Sequence, residues 1–537
     1  MKKIIYIVSA LVLMAGSTSC IGDLDQYPHS TYTANDVFTS ADGYQQVLGG
    51  IYAAFIQRIS SVSTEARSQN YLRTLIMFQD CSTDSCDPIW LSGETLTDVN
   101  GLAWTASNPW CSAMYYHIYN IVAMCNDFIR NASDENLLSR LDEAGRARVE
   151  KYRAEARFLR AYAYSHAIDF YNRMPFVTEN DGVGAYIPVT YDRKQMLDFL
   201  TAELTGIAET LDVTSYGHAT RGAAYALLAR LCLNAGTWTG EDRYTECISA
   251  CKEVFKDGYT LESDYRKLFN GDNHLRAMGG SEIIFAFACD GTKTTTWDAT
   301  TFLVCGQVLD GFADAVNIWG NDGANAWNNL RARPQLVDVF EYGDTRNLIL
   351  DYNRESDGDG TYTETQRSKD ITAHDDATTG YRICKWTNVT DDGKAASFCG
   401  EGGGANTDFP VFRLADVYLM LAEAVVRGGS GATRAEALGY VNAVRERAFG
   451  SAAGNIGDDD LDLDFLCDER LREFYLECIR RTDLIRFDRY TSGYNWQWKA
   501  NTRDGADVDS RFRFLAIPEA EYSVNPGTQT INNELGF

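Results

Sequence analysis

The longest regular pattern of apolar and polar positions lies in A-R-V-E-K-Y-R-A-E-A-R-F-L-R-A-Y-A-Y-S-H-A-I-D-F-Y-N-R-M-P-F, residues 147–176. Tyr152, Ala156, Leu159, Ala163, Ala167 and Phe170 recur at helical spacing and predict one apolar stripe along a long helix. Arg153, Arg157 and Arg160 fall off that stripe, toward solvent or a polar partner. Ala154, Ala161 and their neighbours on the stripe leave room for a second helix to come close. Pro175 is expected to end the run. A second helix of this kind is predicted over residues 220–235, with Thr220 as N-cap and Gly236 just past its end. Long helices with small-residue faces predict stacked hairpins of the tetratricopeptide (TPR) kind. The strict repeat consensus is absent, so the units are TPR-like only.

Further helical periods fall at 40–58, 110–130, 192–211, 243–255, 412–427 and 463–487. Thr433 and Glu436 form a capping-box signature for a helix reaching Phe449. Residues 281–288 read as a strand, and residues 70–108 as loop. From about 290 to 405, Gly, Asp, Asn and Thr dominate and no helical period lasts, apart from 334–340. The expected fold is mainly α, with a few short strands. A TPR-like scaffold occupies about 40–260 and 409–490, and a loop-rich region of about 290–405 carries the function.

The N-terminus changes the picture. Lys2 and Lys3 precede an apolar run from Ile4 to Ala15, too short for a permanent span, and Cys20 follows. This predicts a signal peptide over 1–19, lipidation of Cys20, and one mature domain over 20–537. Ser17 stands where such processing sites usually carry leucine. Lipid on Cys20 would hold the domain at a membrane surface.

Charge narrows the partners. The chain has 75 acidic against 49 basic residues, a net charge of −26, which argues against nucleic acid and anionic surfaces. The 14 cysteines show no CxxC or zinc spacing. Cys81 and Cys86 share one loop, and the sequence leaves their pairing open. The six histidines lack metal spacing, and neither H-E-x-x-H nor G-x-S-x-G occurs. Glu469, Glu473 and Glu477 share one helical face, with Arg472, Arg480 and Arg481 near enough to pair. That predicts a structural charge network rather than a catalytic carboxylate pair. No enzyme is expected.

Several long motifs occur in order: F-P-V-F-R-L-A-D-V-Y-L-M-L-A-E-A at 409–424, V-N-A-V-R-E-R-A at 441–448, E-R-L-R-E-F-Y-L-E-C-I-R-R-T-D-L-I-R-F at 469–487 and A-I-P-E-A-E-Y-S-V-N-P at 516–526. On these the chain resembles the SusD-like (RagB/SusD) family of outer-membrane nutrient-binding lipoproteins, over essentially the whole mature chain. The resemblance implies a SusD-like fold. It also implies a surface-exposed lipoprotein of the outer membrane that works with a SusC-like TonB-dependent transporter.

The likeness extends to the family's starch-binding founder, through R-T at 73–74, T-D-S-C at 83–86, D-G-T-K-T at 290–294 and L-V-C-G at 303–306. It implies three aromatic sugar platforms at Trp90, Trp297 and Trp327, with a sugar-holding arginine at Arg73. The ligand it implies is a starch-type oligosaccharide or polysaccharide. Two positions depart from that pattern. The middle platform is a tyrosine in the founder, and Gly93, beside Glu94, replaces an asparagine. Trp90 and Trp297 lie in polar, turn-rich loops and Trp327 follows N-D-G-A-N-A, which suits exposed platforms. Trp104, Trp110, Trp319, Trp386, Trp496 and Trp498 are assigned to packing. No cofactor is required. Asp272 and Asp408 sit in acidic loops similar to calcium-binding ones in the family, and hard oxygen ligands suit Ca²⁺. The competing readings are another glycan or a peptide nutrient, or a TPR-like protein–protein adaptor. An adaptor would not need tryptophans on polar loops.

Overall fold

The structure is a computed structural model that describes residues 34–537 except 64–65, 185, 279–280, 295, 322–324 and 400–402. The expected signal peptide and Cys20 lie outside the described residues. The longer helices are α1 (Ala41–Ala54), α2 (Pro109–Asn131), α3 (Glu143–Phe170), α4 (Arg193–Ile207), α5 (Arg221–Thr239) and α6 (Tyr244–Phe255). They continue with α7 (Ala299–Gln307), α8 (Leu414–Val426), α9 (Arg434–Phe449), α10 (Leu463–Phe474) and α11 (Arg480–Arg486). Helix packs on helix in the series α2, α3, α4, α5, α6, α8, α9, which is the expected array of hairpins.

Local chemistry sets the helix ends. Ser40 caps α1, Asp192 and Gln195 form a capping box on α4, and Thr433 and Glu436 form the predicted box on α9. The expected stripe of α3 is buried, with Leu159, Ala163 and Phe170 fully covered. Arg160 is buried too, because Glu203 and Glu179 take its guanidinium. Two expected ends move. α3 stops at Phe170, and Pro175 instead sits in a strand, Arg173–Phe176, paired antiparallel with Val189–Asp192. α5 runs through Gly236 and ends at Gly240, whose φ of 78° is the left-handed cap conformation.

The expected single helix over 463–487 is broken between α10 and α11. Leu476 and Cys478 adopt φ of 58° and 62°. Buried Asp80 compensates: Oδ1 accepts the Leu476 N–H (2.8 Å) and Oδ2 accepts the Cys478 N–H (2.9 Å). Burial pushes this carboxyl up to about 7, against those two N–H bonds. Lys385 closes the other side, donating to the Tyr475 carbonyl (2.7 Å) and Glu477 (2.6 Å).

Residues 90–108 are mostly turns, as expected, but 70–89 are no loop. Every residue from Asn70 to Ile89 is buried. They form a short helix (Tyr71–Ile76), a π-turn (Met77–Cys81) and a strand (Cys86–Pro88). The Thr, Ser and Asp side chains that suggested solvent are bonded internally. Thr74 caps backward onto Asn70, and Asp84 takes Arg480. Cys81 and Cys86 are both buried.

The loop-rich region is largely irregular, as expected, yet it holds a four-stranded antiparallel sheet. Its order is Cys86–Pro88, Leu330–Ala332, Tyr381–Ile383, Ile349–Leu350. Asp87, in the edge strand of this sheet, takes Arg331 (2.9 Å) and Arg333 (3.2 Å). Burial alone would raise its carboxyl, but Arg333, His374 and Arg331 hold it well below the usual carboxylate range.

Candidate functional site

The sheet places two tryptophan-bearing straps side by side. Trp90 follows the strand Cys86–Pro88, and Trp327 precedes the strand Leu330–Ala332. Those strands pair, and the ladder continues outward as the Ile89 N–H donates to the Asn329 carbonyl (2.8 Å) and to Asn329 Oδ1 (3.1 Å). The Trp327 strap is fastened to the end of α7: N–H groups of Trp327, Asn328 and Asn329 donate to the carbonyls of Cys305, Val308 and Gly306. Trp297 stands just before α7. Ala299 (φ 51°) and Asn328 (φ 46°) hold the left-handed region beside two of the three tryptophans, a strain that the surrounding bonds must maintain.

Arg73 joins the three elements. Its Nη2 donates to Glu94 (2.7 Å), four residues after Trp90, and Nη1 lies 3.8 Å from Asp298, next to Trp297. Its guanidinium lies over Phe302, 3.3 Å from the ring centroid. Phe302 in turn stacks beneath Trp327, with centroids 6.5 Å apart and planes at 28°. Arg58 completes the set, bonding Asp298 (2.5 Å) and leaning over the Trp297 ring at 5.8 Å.

Trp90, Trp297 and Trp327 are therefore linked through one hub. Trp297 is exposed, at 39%, and Trp90 and Trp327 are half-buried. Arg73 is not at the rim of this site. It is 1% exposed, and its partners lie underneath. The reason is electrostatic: two buried carboxylates need a charge between them. Glu94, Asp298, Arg58 and Phe302 were missed by sequence reasoning. Asp298 and Glu94 stand within four residues of a tryptophan, but nothing local says that both turn inward to one arginine. Trp104, Trp110, Trp319, Trp386 and Trp496 are core residues, as expected.

The loops of Asp272 and Asp408 pack against each other. Asp408 is buried, with Oδ1 taking the Cys289 N–H (2.7 Å) and Oδ2 the Tyr216 hydroxyl (2.9 Å). Asp272 Oδ2 accepts the Asp391 N–H (2.9 Å). Asn273 binds both backbone groups of Asp408, so the loops meet through an amide. Both Asp408 oxygens and Asp272 Oδ2 thus accept N–H or O–H donors. Burial pushes the Asp408 carboxyl up to about 7, against the Cys289 and Tyr216 bonds.

That value gives a test. The ordinary value is 3.8, so the fold binds this proton more tightly than the unfolded chain does. The stability it contributes is present below about pH 4 and lost as pH rises toward 7. Asp408→Asn escapes that loss. Relative to wild type, its unfolding free energy should rise by about 2–4 kcal/mol between pH 4 and pH 8. Urea midpoints of both proteins at the two pH values measure this. Parallel shifts would mean that Asp408 titrates as an ordinary surface acid.

Known proteins share this architecture. Residues 349–530 match the model of the SusD family. The chain is 28% identical to the starch-binding protein SusD of Bacteroides thetaiotaomicron, over 96% of this chain and 95% of that one. It is 23% identical to a SusD-like protein of Bacteroides ovatus, over 96% and 88%. Among solved structures, surface glycan-binding protein A from Bacteroides fluxus superposes with a TM-score of 0.67 at 19% identity, covering 90% of this chain and 96% of that one. The protein of the same name from Bacteroides thetaiotaomicron, in complex with laminarihexaose, gives 0.66 at 18%, over 91% and 98%. The family match over residues 349–530, the likeness to the starch-binding protein SusD and the shared fold agree: over nearly its whole described length the chain is similar to proteins of the SusD family.

Proposed function

We propose that this protein captures a starch-type α-glucan on Trp90, Trp297 and Trp327. The observation that carries the reading is the Arg73 hub, which ties the loops of all three tryptophans to one place. A pyranose has an apolar C–H face that an indole covers, while its hydroxyls reach polar groups around the ring. Each stacked ring contributes about 1 kcal/mol beyond its area. Two or three give micromolar to millimolar affinity, about 4–8 kcal/mol. Weak and fast binding suits a protein that hands its ligand on. α-1,4-Glucans coil, whereas β-1,4-glucans run straight, so platforms set around a hub favour the coiled chain.

The relative named as starch-binding supports the choice of sugar. The neighbour holding laminarihexaose makes a β-1,3-glucan the alternative. A non-catalytic role fits the carboxylates nearest the tryptophans: Glu94 and Asp298 are held by arginines and do not face each other across an open gap. Among the described residues no helix is long and apolar enough to cross a membrane. Anchoring at the outer membrane through lipid on Cys20 is part of the proposal, supported by the short apolar run that precedes this cysteine. Delivery to a SusC-like TonB-dependent transporter, with the TPR-like helices as the docking face, completes it.

Isothermal titration of the mature domain with maltoheptaose tests the site. Trp327→Ala should weaken binding by at least several-fold, since it removes one stacked ring. Its melting temperature should stay near wild type, because the indole is only partly buried. Titration with laminarihexaose and cellohexaose decides between glucans. Unchanged maltoheptaose affinity in Trp327→Ala removes the site assignment. Binding of laminarihexaose alone transfers the site to β-glucans, and binding of neither favours an adaptor.

A further inference from the structure

Behind the Trp327 strap, two thiols face each other. Cys305 Sγ, near the end of α7, lies 3.4 Å from Cys399 Sγ, on the loop that returns from the sheet. The two are 94 residues apart in sequence and buried, at 0% and 2%. The Asn321 amide donates to Cys305 Sγ (3.3 Å), which orients that sulfur. Cys399 also lines a surface groove of about 390 Å³ with Asn321, Ser397 and Phe398, so a small reagent has a way in. The same Cys305 gives its carbonyl to the Trp327 N–H. A bond between these sulfurs would tie the return loop directly to the helix under the sugar platforms.

We propose that Cys305 and Cys399 form a disulfide in the mature protein, a cross-link that fixes the back of the tryptophan site. The step is thiol–disulfide exchange with a disulfide donor, either an oxidised thioredoxin-like protein or oxidised glutathione. The Cys399 thiolate attacks the donor disulfide and expels one thiol. The Cys305 thiolate then attacks the mixed disulfide and expels the second. Two thiols are oxidised, one donor disulfide is reduced to two thiols, and protons balance between them. The proposal rests on the reading that the chain is exported from the reducing cytosol.

Purified mature protein is incubated with oxidised glutathione, alkylated, digested without reduction and analysed by mass spectrometry. A cross-linked peptide pair carrying Cys305 and Cys399, lighter by two hydrogens, is expected. The melting temperature of the oxidised wild type should fall by roughly 3 °C or more on reduction, as a long closed loop is opened. Cys399→Ser should lose both the cross-link and that response. Full alkylation of both cysteines in the oxidised wild type overturns the proposal, and so does an equal response to reductant in Cys399→Ser. The wild-type peptide masses alone decide it if Cys399→Ser does not fold. The readout is a covalent mass, so failure to bind α-glucan would sink the sugar assignment without touching this one.

Discussion

Glu473→Ala should cost roughly 3–5 kcal/mol of folding stability, a large part of what a domain has in reserve. Glu473 is fully buried in α10. Its Oε1 accepts Arg413 (2.9 Å) and Arg447 (2.6 Å), and its Oε2 accepts Arg346 (3.2 Å). Burial alone would raise this carboxyl, yet the guanidiniums of Arg447, Arg413 and Arg346 hold it well below the usual range. Alanine leaves three buried cations without the carboxylate they share, and opens a void at the same point. Glu473→Gln keeps the shape but not the charge and should recover only part. A urea titration measures it: the midpoint falls while the slope stays near wild type. A midpoint equal to wild type would show that water reaches the cluster.

Arg73→Ala should act on both stability and sugar. It leaves Glu94 to Arg67 at 3.5 Å and Asp298 to Arg58 alone, and both of these arginines are about one-third exposed. The cost should be about 2–4 kcal/mol. Phe302 also loses the guanidinium that covers it, and Trp327 rests on Phe302. Maltoheptaose affinity should therefore fall at least tenfold, about 1.4 kcal/mol, although Arg73 has no exposed surface to offer a sugar. Arg73→Lys keeps the charge but not the flat stacking face and should fall between the two. Melting and titration on one preparation separate the roles. If Arg73→Ala melts like wild type and loses only affinity, then the arginine touches the ligand directly.

These two sites differ in how far the sequence announces them. Helix spacing alone predicts Glu469, Glu473 and Glu477 as a charge network on one face, and the structure has that network. Arg472 pairs with Glu469 as expected (2.9 Å), but the other partners differ. Arg480 and Arg481 turn away to Asp84 and Asp169, while Arg346, Arg413, Arg445 and Arg447 arrive from distant segments. Periodicity reports which face a residue is on, not which remote residue meets it. The helical scaffold is legible for the same reason, since caps and stripes are local. The break in 463–487 is not legible, because Asp80, which makes it tolerable, is 396 residues away. Polar residues 70–89 read as loop because composition cannot tell an internally bonded hydroxyl from a hydrated one. For the candidate site, resemblance supplied Trp90, Trp297 and Trp327. The buried position of Arg73 needed coordinates.

The carboxylate that spans the break between α10 and α11 also sets an order of events in time. Asp80 meets Leu476 and Cys478, Asp84 meets Arg480 and Tyr494, and each contact joins points about 400 residues apart. A growing chain therefore makes one half of this clasp early and the other half only near its end. Until then Asp80 and Asp84, in the buried stretch 70–89, lack these partners. Contacts of such sequence separation make folding slow. For a chain exported as proposed, this order leaves the clasp open until its last tenth has been made.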